Sequence, residues 1–217
     1  MHTKLFEERI ARFREVDLYP VVSSEFTLNR PVPEVVEAIA RGGAKIVQLR
    51  EKHRPDRELL KLACVCREIT AKYGMLLIID DRPDIALACG ADGVHAGQED
   101  LPVAAIRKFA PDLLVGCSTH NSEEAAAALR DDTGYFNIGP IYPTQTKSVA
   151  CGAVGIGMIG RIAPMAGDVP FSVMGGIKAR HIPELRRAGA RHIAMVTEIT
   201  AAPDIEAKVR ELRALFR

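Results

Sequence analysis

Short runs rich in β-branched residues alternate with longer amphipathic stretches along the whole chain, and this alternation limits the possible folds more than any other feature. Strands are expected at 19–23, 46–50, 76–80, 93–96, 113–117, 135–138, 170–173 and 192–196. Helical segments fill the gaps. The segment 57–73 places Leu59, Leu62, Ala63, Cys66 and Ile69 on one face, and 204–216 forms the last helix. Gly43, Gly90 and Gly189 each stand at the end of a helical stretch just ahead of a strand, an echo that marks a repeated βα unit. Eight such units within 217 residues predict a compact (β/α)8 barrel, with an open doubly wound sheet as the alternative. No Ser/Pro-rich linker or charge run divides the chain. The reading is therefore one domain over 1–217, with a barrel core at about 18–216 and residues 1–17 as a helical N-terminal extension.

Composition removes several classes of function. Lys and Arg number 29 against 28 Asp and Glu, so there is no basic field for a nucleic-acid backbone or an anionic membrane surface. The most apolar stretch, 152–177, is interrupted by Arg161 and Asp168 and studded with Gly and Pro, which rules it out as a bilayer span. The first residues, Met-His-Thr-Lys-Leu-Phe-Glu-Glu-Arg, lack the apolar run of a signal peptide, so a cytoplasmic location is expected. Five cysteines at 64, 66, 89, 117 and 151 then read as reduced thiols.

In a barrel of this kind the chemistry sits beyond the C-terminal ends of the strands. Strand two ends in Gln48-Leu49-Arg50-Glu51-Lys52, where period-two alternation lets Gln48, Arg50 and Lys52 face the barrel mouth. Two cations there suit an anionic group with several oxygens, and a solvated loop with an ion pair through Glu51 is the plainer alternative. Strand three ends in Asp80-Asp81 and the loop after strand four carries Asp100, an all-oxygen set of the kind Mg²⁺ takes. Helix capping by Asp81 and Asp100 stays open at this point. Zinc is not expected, because His95 and His120 lack a ligand partner at characteristic spacing. Ser118 and His120 lie two apart without a nucleophile elbow, which argues against a hydrolase triad. Thr144, Gln145, Thr146 and Lys147 after strand six, Gly175-Gly176 after strand seven and Val196-Thr197 after strand eight could cradle a phosphate.

Taken together, Gln-Leu-Arg-Glu-Lys at 48–52, Gly-Val-His-Ala-Gly-Gln-Glu-Asp at 93–100, Gly-Pro-Ile-Tyr-Pro-Thr-Gln-Thr-Lys at 139–147 and Gly-Gly-Ile at 175–177 resemble the thiamine-phosphate synthase family. The resemblance covers about residues 18–200, in the family's order. It implies a Mg²⁺-dependent transferase of thiamine biosynthesis that joins hydroxymethylpyrimidine diphosphate to hydroxyethylthiazole phosphate, releasing diphosphate and forming thiamine phosphate. It assigns Asp81 and Asp100 to the metal. Gln48, Leu49, Arg50, Glu51, Lys52, Asp80, Ser118 and Lys147 go to the pyrimidine diphosphate, and Thr144, Gln145, Thr146, Gly176, Val196 and Thr197 to the thiazole phosphate. It further implies a dissociative reaction in which Arg50, Lys52 and Lys147 stabilise the departing diphosphate. The partners are then two small molecules, with neither nucleic acid nor membrane involved, and a homodimer is the assembly to consider.

Three positions depart from the family pattern: Asp80 stands where Asn is usual, Ser23-Ser24 where an acid is common, and 148–157 is atypical. Two other readings are a thiazole tautomerase using His120, and a catalytically inert barrel that binds a thiamine precursor. The intact Thr-Gln-Thr-Lys loop and the retained Asp81, Asp100, Lys52 and Lys147 favour the synthase.

Overall fold

The structure, a computed structural model, describes residues 2–146 and 152–217. Eight parallel strands close into a barrel in sequence order: β1 (Leu18–Val22), β2 (Ile46–Leu49), β3 (Leu76–Asp80), β4 (Gly93–Ala96), β5 (Leu114–Thr119), β6 (Tyr135–Ile138), β7 (Phe171–Val173) and β8 (His192–Met195). Pairing of β1 with β8, Tyr19 opposite Ala194, completes the ring. The chain is a single (β/α)8 barrel, and the open sheet is excluded.

The helices are α1 (Lys4–Arg14), α2 (Val32–Arg41), α3 (Asp56–Lys72), α4 (Pro83–Cys89), α5 (Val103–Phe109), α6 (Ser122–Arg130), α7 (Gly157–Ile162), α8 (Ile182–Arg187), α9 (Thr197–Thr200) and α10 (Ile205–Ala214). Their ends follow from side-chain chemistry. Thr3, Asn121 and Asp204 accept backbone N–H groups from Phe6, Glu124 and Ala207, which caps α1, α6 and α10. The short α9 sits between β8 and the last crossover helix. Among the described residues no helix is long and apolar enough to cross a membrane.

Period-two alternation divides the strand side chains between two layers. Val47, Leu49, Leu77, Ile79 and Phe136 pack outward against the helices. Tyr19, Val21, Ile46, Leu76, Ile78, Leu114 and Tyr135 fill the interior. From beneath, α1 closes the barrel with Phe6 and Phe13, and the fully buried Phe13 ring stacks on Tyr135 at 4.4 Å between centroids. Burying one such ring stabilises the fold by about 1.5–3 kcal/mol. Gly116 is required one strand away, because a Cβ there would run into the Tyr135 ring.

Candidate active site

The ends of β2, β3 and β4 build one side of the mouth. Asp80 closes β3, and its Oδ2 lies 3.4 Å from Arg50 Nε and 3.3 Å from Lys52 Nζ. The carboxylate at this departure from the family pattern is therefore balanced by two cations. Asp81 follows with φ 59, a left-handed conformation that Asp tolerates better than most residues, and its N–H donates to His95 O at 2.7 Å. The Asp81 carboxylate pairs with Lys52 and meets Asp100. Burial and the neighbouring Asp80 push the Asp81 carboxyl up to about 6, with Lys52 opposing the rise and Asp100 adding to it. Burial alone would lower the Lys52 ammonium, but Asp80 and Asp81 more than reverse this and hold it above its ordinary value.

The capping alternative for the two acids does not describe this structure. Neither α4 nor α5 carries a side-chain cap, and Asp100 Oδ2 instead accepts Gly97 N–H at 2.7 Å. Glu51 points elsewhere: it accepts Ser24 N–H and Oγ–H at 2.7 Å each and pairs with Arg54 rather than with Arg50 or Lys52. Leu49 packs into the helix–sheet layer, so its side chain is remote from the mouth.

The opposite side comes from the ends of β6, β7 and β8. After the cis Gly139–Pro140 bond, Ile141 N–H donates to Met174 O at 2.8 Å and Tyr142 N–H to Gly175 O at 3.0 Å, tying the β6 loop to the Gly-Gly turn. Gly176 has φ 62, and a Cβ there would strike Pro143 O. Its lack of a side chain thus first serves loop packing. Thr144 and Thr146 share a hydroxyl hydrogen bond of 2.9 Å and line the central cavity with Arg50, Ser118, His120, Gly176, Val196 and Thr197. Gln145 is exposed. Lys147 and Cys151 lie outside the described residues.

Beneath this cavity runs a polar chain that sequence reading missed. Gln48 Nε2 donates to Tyr19 Oη at 3.1 Å, and the Tyr19 and Tyr135 hydroxyls share a 2.8 Å bond. Tyr135 Oη meets His95 Nδ1 at 3.1 Å, and His95 Nε2 meets Ser118 Oγ at 3.0 Å. Burial raises the Tyr135 phenol well above its usual range, so it stays neutral and can donate. Asn137, 2% exposed, joins the cavity wall from β6. The spacing of Tyr135 and Asn137 places them on one strand face, which was the available signal, but their partners are far away in the chain. His120 lines the cavity with Nδ1 held 2.7 Å from Glu124 Oε2.

Three comparisons relate the whole chain to known proteins. A sequence profile described as thiamine monophosphate synthase matches residues 18–199. A thiamine-phosphate synthase from Pelotomaculum thermopropionicum is 41% identical over 203 residues, 93% of each chain. One from Chloroflexus aurantiacus is 40% identical over 206 residues, 95% of each chain. Among solved structures, a thiamine phosphate pyrophosphorylase from Pyrococcus furiosus superposes with a TM-score of 0.85 at 30% identity, covering 93% of this chain and 95% of that one. On these grounds, with a profile spanning most of the barrel, this chain belongs to the thiamine monophosphate synthase family.

Proposed function

We propose that the chain is a transferase that couples hydroxymethylpyrimidine diphosphate to hydroxyethylthiazole phosphate, giving thiamine phosphate and diphosphate. The observation that carries this reading is the placement of Arg50, Lys52, Asp81 and Asp100 on one side of a mouth whose other side holds Thr144, Thr146 and Thr197. One side suits a metal-bound diphosphate and the other a phosphate monoester.

Mg²⁺ fits the residues present. Asp81 pairs with Lys52 and meets Asp100, and Asp80 lies against Arg50 and Lys52, so the described residues offer a hard-oxygen carboxylate set beside two cations. A divalent ion held by Asp81 and Asp100 would neutralise charge on the leaving group. Arg50 and Lys52 stabilise the same growing charge as the methylene C–O bond breaks and its electron pair leaves with diphosphate. The thiazole nitrogen then supplies the pair that forms the new C–N bond, and no protein nucleophile takes part. By family resemblance Lys147 assists the departure. Ser118, anchored by His95, and Gln48, anchored by Tyr19, face the pyrimidine side.

The same reading includes a cytoplasmic location, in keeping with free thiols at Cys64, Cys66, Cys89 and Cys117, and a homodimer that sedimentation velocity would reveal. The deciding assay mixes both precursors with the purified chain and Mg²⁺. Thiamine phosphate should form and should vanish with EDTA; no product from either mixture overturns the reading.

A further inference from the structure

The Asn137 side chain is an unexplained polar group in the cavity wall. It is 2% exposed and lines the mouth cavity, yet no donor among the described residues reaches its Oδ1. Its in-register neighbours are Ser118 on β5 and Ser172 on β7, and the buried Ser172 Oγ likewise has no hydrogen-bond partner among the described residues. A buried amide oxygen without a donor is destabilising, so an acceptor left open beside a ligand cavity marks a place where a ligand donor belongs.

We propose that Asn137 is a specificity-determining residue that accepts a hydrogen bond from the exocyclic amine of the pyrimidine substrate. The inference rests on the proposed coupling reaction and assigns a recognition step within it. Substrate chemistry selects the partner. The pyrimidine carries an amine beside a ring nitrogen, whereas the thiazole ring has no N–H and must keep its nitrogen lone pair free to attack. An open acceptor therefore suits the first ring and gives the second nothing to donate. The amide also offers Nδ2–H₂ as a donor, so it can meet both atoms on the amine edge of the ring. Asn137 sits level with Ser118, on the same inward face, where a ring whose diphosphate lies at the Arg50–Lys52 side would extend.

The test is calorimetric titration, in Mg²⁺, of the wild type, Asn137→Ala and Asn137→Leu, the last retaining the volume. The ligands are the pyrimidine diphosphate, its des-amino analogue and the thiazole phosphate. The wild type should bind the aminated ligand about tenfold more tightly than the analogue, equivalent to roughly 1.4 kcal/mol. Both variants should lose that preference while binding thiazole phosphate within about twofold of wild type. A wild type that binds both pyrimidines alike overturns the inference without reference to any variant. So do variants that keep the preference, as they would if a water joined Asn137 to Ser172. Wild-type synthesis of thiamine phosphate, assayed in parallel, separates failure at Asn137 from failure of the coupling reaction itself.

Discussion

The two ends of the barrel use the same residue types to opposite effect. At the closed end Asp92, buried, is surrounded by Arg9, Arg12 and Arg67 at 3.7, 3.4 and 2.5 Å, and its Oδ2 also accepts Leu77 N–H at 2.9 Å. Every one of these groups is tied to α1, α3 or a strand start, and α1 covers them. At the open end Asp80 lies against Arg50 and Lys52, and Asp81 pairs with Lys52 and meets Asp100, so among the described residues three carboxylates share two cations. A charge cluster that the fold satisfies by itself holds structure together. One left with an excess of a single sign has room for a ligand of the other.

This contrast can be broken by exchanging the effects. The largest change is expected at the mouth: Asp100→Ala should lower kcat by more than a thousandfold while the melting temperature moves by no more than a few degrees, because a carboxylate in the loop after β4 contributes little to the core. Activity that persists in EDTA would refute the metal assignment. At the closed end the reverse holds. Asp92→Asn leaves three arginines facing a neutral group and should cost about 3 kcal/mol of stability, with kcat close to wild type in the folded protein. Thermal unfolding and steady-state kinetics on the same preparation would show whether the two effects separate as stated.

Two smaller effects sharpen the picture. Because the Asp81 carboxyl is raised to about 6, the metal-free protein carries a proton there in mild acid, and a cation must displace it. Mg²⁺ affinity should therefore fall, and proton release on binding should grow, as pH drops through about 6; affinity independent of pH from 5 to 8 would remove Asp81 from the metal site. Asp80→Asn should lower the Michaelis constant for the pyrimidine diphosphate a few-fold, since Arg50 and Lys52 would no longer share their charge with a carboxylate. If the substitution instead weakens Mg²⁺ binding, Asp80 acts as a third acid beside the ion.

The barrel was legible in the sequence because its signal is local: each strand is a short β-branched run, and each βα unit repeats the same pattern. Boundaries shifted by a residue or two, as where β2 stops at Leu49 rather than Arg50 and β5 extends to Thr119. The clustering of Arg50, Lys52, Asp81 and Asp100 followed from the barrel, since all four come at or just beyond the C-terminal ends of neighbouring strands. The Gln48–Tyr19–Tyr135–His95–Ser118 chain did not, because it exists only once β1 and β6 face each other across the interior. Alternation could place Tyr135 on an inward face, but it could not show that a hydroxyl 116 residues away in sequence would meet it.

The contact between Gly116 and the Tyr135 ring has a consequence for how this chain can vary. The two positions form one unit of space on adjacent strands, so any side chain gained at 116 must be matched by a smaller residue at 135. That exchange would remove the hydroxyl through which Tyr19 and His95 are joined. Residue 116 does not line the central cavity, yet drift there is coupled through Tyr135 and His95 to the orientation of Ser118. Lineages of this barrel that keep the tyrosine should keep the glycine, and those that lose one should have rebuilt the floor of the site.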